Sequence, residues 1–300
     1  MSIQIENLFK YYGEQPAVLD ISFSIPKGQI TAFLGPNGAG KSTTMKIITG
    51  YISSSSGSVK VCEEEVNPEN INIRKKIGYL PENNPLYSDL YVKEYLEFVA
   101  GIYKIKKIKK RVKEVISLVG LEVEQHKKIE ELSKGYRQRV GIAQAIIHDP
   151  EVLILDEPTS GLDPNQLESI RDLIKSIGKE KTVLLSTHIM QEVEAICDRI
   201  IIINKGEIVA DKLTKDINDS NDKQVLFVQF DKTITRSQLS KITGVLSVKS
   251  HEKGWVLESE KEENLQKHIN EFANKNELII KTLQLEKKSM EQFFKELTND

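Results

Sequence analysis

Cysteine is nearly absent from this chain, with two among 300 residues, at positions 62 and 197. That excludes a disulfide framework and suits a reducing compartment. Neither cysteine has a partner at zinc-ligand spacing, so neither is assigned a role. Long apolar runs are missing as well: no stretch approaches the roughly 18 consecutive apolar residues of a membrane span. The first residues, Met-Ser-Ile-Gln-Ile-Glu-Asn, contain neither a basic start nor an apolar run, and no secretion leader is expected there. No sign of charge dominates. Forty-two Lys and Arg against 44 Asp and Glu leave a formal charge of −2, so there is no global positive field to hold nucleic acid, and no nucleic-acid partner is expected. What is present is an ordinary globular composition, 39% apolar and 29% charged. At roughly 150 residues per domain, the length suggests two domains, or one large α/β domain with an appendage.

The first 215 residues alternate short apolar runs with helix-length amphipathic stretches, which points to an α/β fold. The strand candidates are Ile30–Leu34, Ile77–Leu80, Val152–Leu155, Val183–Ser186 and Ile200–Asn204. The last three are apolar almost throughout, as strands covered on both faces of a parallel sheet would be. Leu19–Ile25 alternates instead and reads as antiparallel with one solvated face. Helical patterns cover Lys41–Thr49, Gln138–His148, Pro164–Ile177 and Met190–Cys197. Residues from about 88 to 135 break the rhythm. Ile102, Ile105, Ile108, Val112, Val115 and Val119 recur at three- or four-residue spacing, which predicts a helical subdomain. The polar stretch around 216–223 reads as a linker, followed by a small α+β domain over 224–300. In that domain Val225–Phe230, Val245–Ser250 and Trp255–Ser259 are expected strands and Glu263–Asn274 a helix.

Two segments carry chemistry. Gly35-Pro36-Asn37-Gly38-Ala39-Gly40-Lys41-Ser42, continued by Thr43, fits Gly-x-x-x-x-Gly-Lys-Ser/Thr. Its glycines let successive N–H groups wrap a polyphosphate, Lys41 supplies charge to the β- and γ-phosphates, and the Ser42 hydroxyl can ligate Mg²⁺. A chance glycine-rich turn is the alternative, but the required strand precedes the loop and the required helix follows it. The second segment is Val152–Leu155, an apolar strand that ends in Asp156 and Glu157. A buried strand delivers these carboxylates where ligands sit in open α/β sheets. Asp156 is then a Mg²⁺ ligand and Glu157 the group that polarises the attacking water.

With these in place the chain resembles the ATPase subunits of ATP-binding-cassette (ABC) transporters over residues 2–215. Leu132-Ser133-Lys134-Gly135-Tyr136 resembles the family's signature motif, differing from the commonest form at Lys134 and Tyr136. The resemblance implies that Ser133 and Gly135 reach the γ-phosphate held by an opposite subunit; a plain helix cap at Ser133 is the alternative. Ser160-Gly161-Leu162-Asp163 is similar to the D-loop, which crosses the dimer interface. His188 matches the switch histidine, a role its position after Val183–Ser186 favours over that of an ordinary surface or core histidine. Tyr12 matches the aromatic that stacks on adenine, with Tyr11 as the competing residue and an exposed hairpin tyrosine as the bland reading. Glu82 stands where the family usually has a Gln that contacts Mg²⁺ and water; as a carboxylate it can ligate the metal but cannot donate when ionised.

The fold implied is a P-loop NTPase core with an antiparallel β subdomain and a helical subdomain. The implied partners are a second copy, closed head to tail over two ATPs, and a multi-span permease; the implied location of this chain is cytoplasmic, peripheral on the cytoplasmic face of the inner membrane. The tail around Leu285–Phe294 is similar to extensions of exporter-type ATPases, among which those associated with bacterial gliding motility look most alike. Trp255, Phe293 and Phe294 are expected in the tail's core. Two other readings stay open: an ABC-type ATPase acting on DNA or ribosomes, and a regulatory protein that only binds ATP. The basic segment Lys104–Lys113 is either a solvated helix face or a contact for anionic lipid or an acidic partner.

Overall fold

The computed structural model describes residues 1–219, 223–260, 264–286 and 290–298. It divides into two compact units, the first centred on Met1–Thr214 and the second on Lys215–Glu296.

The first unit opens with an antiparallel hairpin, β1 (Ile3–Tyr12) and β2 (Gln15–Ile25), and the buried strand β3 (Ile30–Leu34) leads into helix α1 (Lys41–Ile48). Strands β4 (Ser56–Val61) and β5 (Glu64–Glu65), the short helix α2 (Ile71–Arg74) and strand β6 (Ile77–Leu80) follow. Next come helices α3 (Val92–Ile102), α4 (Ile108–Leu118) and α5 (Lys134–Ile146). The unit closes with β7 (Val152–Asp156), α6 (Pro164–Gly178), β8 (Thr182–Ser186), α7 (Met190–Ile196), β9 (Arg199–Asn204) and β10 (Glu207–Leu213). One sheet has the order β2-β1-β4-β5 and the other β10-β9-β3-β8-β7-β6. In the second sheet β6, β7, β8, β3 and β9 are all parallel, and β10 is antiparallel at the edge. The chain leaves β3 for the far edge, returns through β7 and β8, and crosses to β9 on the other side of β3. Such a reversal is where open α/β sheets bind ligands. A single core joins residues of both sheets with α1, including Ile5, Phe23, Phe33, Met45, Ile48 and Ile201.

Sequence periodicity locates the parallel strands because residues buried on both faces leave uninterrupted apolar runs. It misses β10, whose burial alternates and whose polar side faces solvent. The signal for β10 is the turn before it: Lys205 and Gly206 have φ of 50° and 88°, the left-handed pair that a tight two-residue hairpin requires. The apolar pattern of 102–119 is two helices rather than one. Val112, Val115 and Val119 are buried, whereas Ile102 is 63% exposed at the end of α3.

The second unit contains α8 (Thr214–Asp219), β11 (Lys223–Phe230), α9 (Arg236–Leu239), β12 (Ser247–His251), β13 (Gly254–Glu260), α10 (Leu265–Lys275), β14 (Ile280–Glu286) and α11 (Met290–Thr298). The segment 216–223, read as a linker, is therefore helical as far as Asp219, and residues 220–222 lie outside the described residues. The sheet order β12-β13-β11-β14, antiparallel throughout, is that of a split β-α-β repeat. Leu226, Val228, Leu257, Leu265 and Ile269 form its core, with Trp255 packed against them. Phe294 is half-buried, and the side chain of Phe293 lies outside the described residues.

His148, just after α5, makes part of the first unit pH-sensitive. Its ring stacks on Tyr103 with centroids 3.9 Å apart, and its Nε2 donates to the carbonyl of Ile77 at 3.1 Å. Nδ1 is then buried without a partner, and burial lowers the pKa from the ordinary 6.5 to about 4. The unfolded chain takes up this proton at higher pH than the folded chain. Stability is therefore fully present above pH 6.5 and falls as pH drops toward about 4. Urea unfolding across that range is expected to lose ~2–3 kcal/mol from this group, and His148→Phe, which keeps the ring stack, should remove that part of the slope.

Candidate nucleotide site

The phosphate-binding pattern folds as a loop between β3 and α1, and close packing explains its small residues. A Cβ on Gly35 would lie 2.2 Å from the carbonyl oxygen of Ile203, and one on Gly40 would lie 2.5 Å from that of Ala17. Gly40 also has φ of 109°, which side chains rarely adopt. Gly40 caps α1, so the helix's first N–H groups open toward the loop. Lys41 is only 6% exposed, and its Nζ donates to the carbonyls of Gly35 at 2.7 Å and Pro36 at 3.2 Å. Burial pushes its pKa down, while Glu157, Asp156 and Glu82 pull it back up.

The apolar strand β7 places Asp156 at its carboxyl end, 2% exposed. Asp156 Oδ1 accepts from the Ser186 hydroxyl at 2.7 Å and from the Ser42 hydroxyl at 3.2 Å. Glu157 follows with φ of 50°, a left-handed conformation unusual for a side-chain-bearing residue. Its N–H donates to Ser186 Oγ at 2.8 Å, which holds the turn. Nδ1 of His188 lies 2.9 Å from Glu157 Oε2, the ring nitrogen donating to the carboxylate. Burial raises the Glu157 pKa, opposed by His188 and Lys41.

A cavity of about 430 Å³ opens between these groups. Asn37, Gly38, Gly40, Lys41, Ser42, Thr43, Glu82, Glu157 and His188 line it, together with Ala17 and Ser160. The structure thus gathers the phosphate loop, both carboxylates, Glu82 and the histidine past the carboxyl ends of the parallel strands. Gly35, Pro36, Ala39 and Asp156 do not themselves line the cavity, and Tyr11, Tyr12, Ser133, Gly135 and Asp163 do not either. Tyr12 is 51% exposed at the end of β1, with Lys10 Nζ 5.2 Å from its ring centre, and Tyr11 is 41% exposed. Ser133 caps α5 by accepting from the Tyr136 N–H at 3.4 Å, and Gly135 packs against Gln166. Asp163 caps α6, accepting from the Gln166 N–H at 2.9 Å. A second cavity, about 630 Å³, shares Glu82, Glu157 and Ser160 with the first and is lined on its other side by Lys134, Arg137 and Gln138 of α5.

Sequence reasoning misses Ser186, the residue that bridges the two carboxylate positions. Its one signal is that it is the first polar residue after Val183-Leu184-Leu185. Among the described residues no group of three or more His, Cys, Asp or Glu forms a metal cluster. The Ser42 and Asp156 oxygens instead offer the sparse, hard-donor pair suited to a Mg²⁺ that completes its shell with phosphate and water.

Residues 18–160, which hold the phosphate loop and both carboxylates, match the family model described as ABC transporter. A Bacillus subtilis ABC transporter ATP-binding protein, YhcH, is 40% identical over 227 residues, 73% of each chain. The chain belongs to the ABC transporter ATP-binding proteins. The bacitracin transport ATP-binding protein of Bacillus licheniformis is 32% identical over 297 residues, covering 98% of this chain and 96% of that one. Among solved structures, a dimeric ATP-binding cassette in a post-hydrolysis state, bound to ADP and Pi, superposes with a TM-score of 0.64 at 28% identity, covering 70% of this chain and 98% of the cassette. This ABC protein is accordingly an ATP-binding subunit and an ATPase with a P-loop NTPase fold.

Removing the Ser186 hydroxyl strips a buried donor from Asp156 and an acceptor from the Glu157 N–H. Ser186→Ala is expected to cost roughly 1–3 kcal/mol in urea unfolding and to lower ATP turnover. Unchanged stability and turnover would show that the bridge holds neither carboxylate in place.

Proposed function

We propose that this ABC ATPase powers export through a separate multi-span permease, as a head-to-tail pair of copies on the cytoplasmic face of the inner membrane. The observation that carries the catalytic part is the convergence of Lys41, Ser42, Glu157 and His188 on one cavity, with the buried Asp156 tied to Ser42 by a 3.2 Å hydrogen bond. In this reading the loop N–H groups of Gly35–Thr43 and the Lys41 ammonium grip the β- and γ-phosphates. Glu157 takes the proton of the attacking water, and His188 orients that carboxylate through its 2.9 Å contact. Mg²⁺, when bound, neutralises phosphate charge, and Ser42 and Asp156, with Glu82 nearby, are the groups that would hold it.

Tyr12 then serves as the adenine platform, its exposed ring being free to stack. Ser133, Gly135 and Asp163 lie outside the chain's own phosphate cavity, which supports a role toward a second copy. The capped N-terminus of α5 suits an anion presented from outside the chain. The dimeric state of the ADP-bound cassette supports the same arrangement.

Export rather than import is supported by the nearly full-length likeness to a bacitracin transport protein. The narrower likeness to gliding-motility ATPases rests on the sequence resemblance alone. No helix among the described residues is long and apolar enough to cross a membrane, so transport requires a partner that does. A docking place for it is the aromatic group Tyr87, Tyr91 and Phe98 at the start of the helical subdomain. These residues are 54%, 43% and 48% exposed, and Tyr87 lies edge-on to Tyr95 with centroids 5.9 Å apart. Tyr87 and Phe98 also touch, with ring centroids 5.8 Å apart, and exposed aromatic rings in contact mark an interaction surface.

Glu157→Gln should retain ATP and associate as a dimer while losing about 10²–10⁴-fold in turnover. Because burial raises the Glu157 pKa, the acid limb of the wild-type turnover profile should lie above the ordinary glutamate range. That limb should vanish from the residual activity of the Gln variant, and near-normal turnover in the variant would remove Glu157 from its role. Separately, Tyr87→Ala with Phe98→Ala should abolish co-purification with a multi-span membrane protein while sparing basal ATP hydrolysis. Recovery of nucleic acid instead would favour the ABC-type ATPases that act on DNA or ribosomes.

A further inference from the structure

The turn between α3 and α4 and the first half of α4 concentrate positive charge that no step of ATP binding or hydrolysis uses. From Lys104 to Lys113 seven of ten residues are basic and none is acidic, in a chain whose charges nearly cancel overall. Arg111 is directed inward. Its Nε and Nη2 donate to the carbonyls of Ile147 and Ile146, each at 2.8 Å, and so fasten α4 to the end of α5. Val112, Val115 and Ile116 bury the neighbouring face. With that side pinned, the six lysines of the segment are held outward and exposed. Lys110 has a loose contact with Glu114 at 3.8 Å, and the other five make no ion pair among the described residues. Lys109 and Lys113, four residues apart, share a helix face. Ile102, 63% exposed, adds an aliphatic side chain two residues before the first lysine.

Like charges held this close repel one another, and the carboxylates that face the segment, Glu114 and Asp149, lie only against its Lys110 and Arg111. An external anionic surface offsets that repulsion. Two partners have the right sign, an acidic protein segment and an anionic bilayer. The cytoplasmic loops of multi-span proteins carry excess Lys and Arg and would repel this face. The anionic leaflet around the same loops attracts it, and an exposed aliphatic residue among lysines suits the headgroup region.

We propose that the Lys104–Lys113 face docks on the anionic phospholipid surface of the membrane and sets the orientation of the helical subdomain there. The inference rests on the reading that the chain works at a membrane. Each lysine near such a surface strengthens binding roughly fivefold.

The test is co-sedimentation of the full chain with phosphatidylglycerol–phosphatidylcholine vesicles and with pure phosphatidylcholine vesicles. Wild type should bind the anionic vesicles only, and less as salt rises. The triple variant Lys106→Glu, Lys109→Glu, Lys113→Glu should bind at least about a hundredfold more weakly, with basal ATP hydrolysis unchanged as the control for folding. Equal binding by variant and wild type, or no wild-type binding to anionic vesicles, would overturn the proposal; both are expected if the lysines serve an acidic protein or solubility alone. Co-purification of the membrane protein is measured in parallel. Vesicle binding by wild type without any co-purifying permease would support this surface and count against the permease reading instead.

Discussion

A carboxylate that is 2% exposed at the end of an apolar strand must be supplied with donors, and much of the nucleotide site follows from how Asp156 finds them. Its donors are the hydroxyls of Ser186, which ends β8, and of Ser42, near the start of α1. One buried charge therefore ties the phosphate loop to two strands of the parallel sheet. Ser186 also accepts from the N–H of Glu157 and so steadies the left-handed turn that aims the next carboxylate at the cavity. The geometry of the reacting groups rests on hydroxyl bridges as much as on the glycine-rich loop.

The same crowding sets the electrostatics. Burial disfavours the charge of Lys41, while three acidic side chains favour it. Glu157 is buried too, but His188 and Lys41 oppose the upward shift of its pKa. Lys41 and Glu157 thus depend on each other for ionisation, and ATP enters a site whose charges are already coupled. Glu82 adds a further carboxylate, one that lines both cavities.

The strands of the central sheet are legible because a strand covered on both faces leaves an unbroken apolar run, as in Val152–Leu155 and Ile200–Ile203. Edge and surface elements are not. β10 keeps one side in solvent, and β14 lies in a stretch whose apolar residues are interrupted by Lys281, Thr282 and Gln284. The phosphate loop and the Asp156-Glu157 pair are legible because their residue types stand at fixed spacing. Ser186 is not, because a serine at a strand end has no distinguishing neighbour. Tyr12, Ser133, Gly135 and Asp163 are visible through the family resemblance, yet within one chain Ser133 and Asp163 cap helices, Gly135 is buried against Gln166 and Tyr12 faces solvent.

The class of fold, the phosphate loop with its lysine, and the strand that carries two carboxylates can be read from residue order, because they depend on local spacing and on burial patterns that repeat along the chain. The folded chain adds that Ser42, Asp156, Ser186, Glu157 and His188 form one connected set, since the crossover order of the sheet brings the segments after β3, β7 and β8 together. The folded chain also turns Arg111 inward while six neighbouring lysines remain outside. Which way a side chain of a basic run points depends on the packing of α4 against α5, and residues far apart in the chain set that packing.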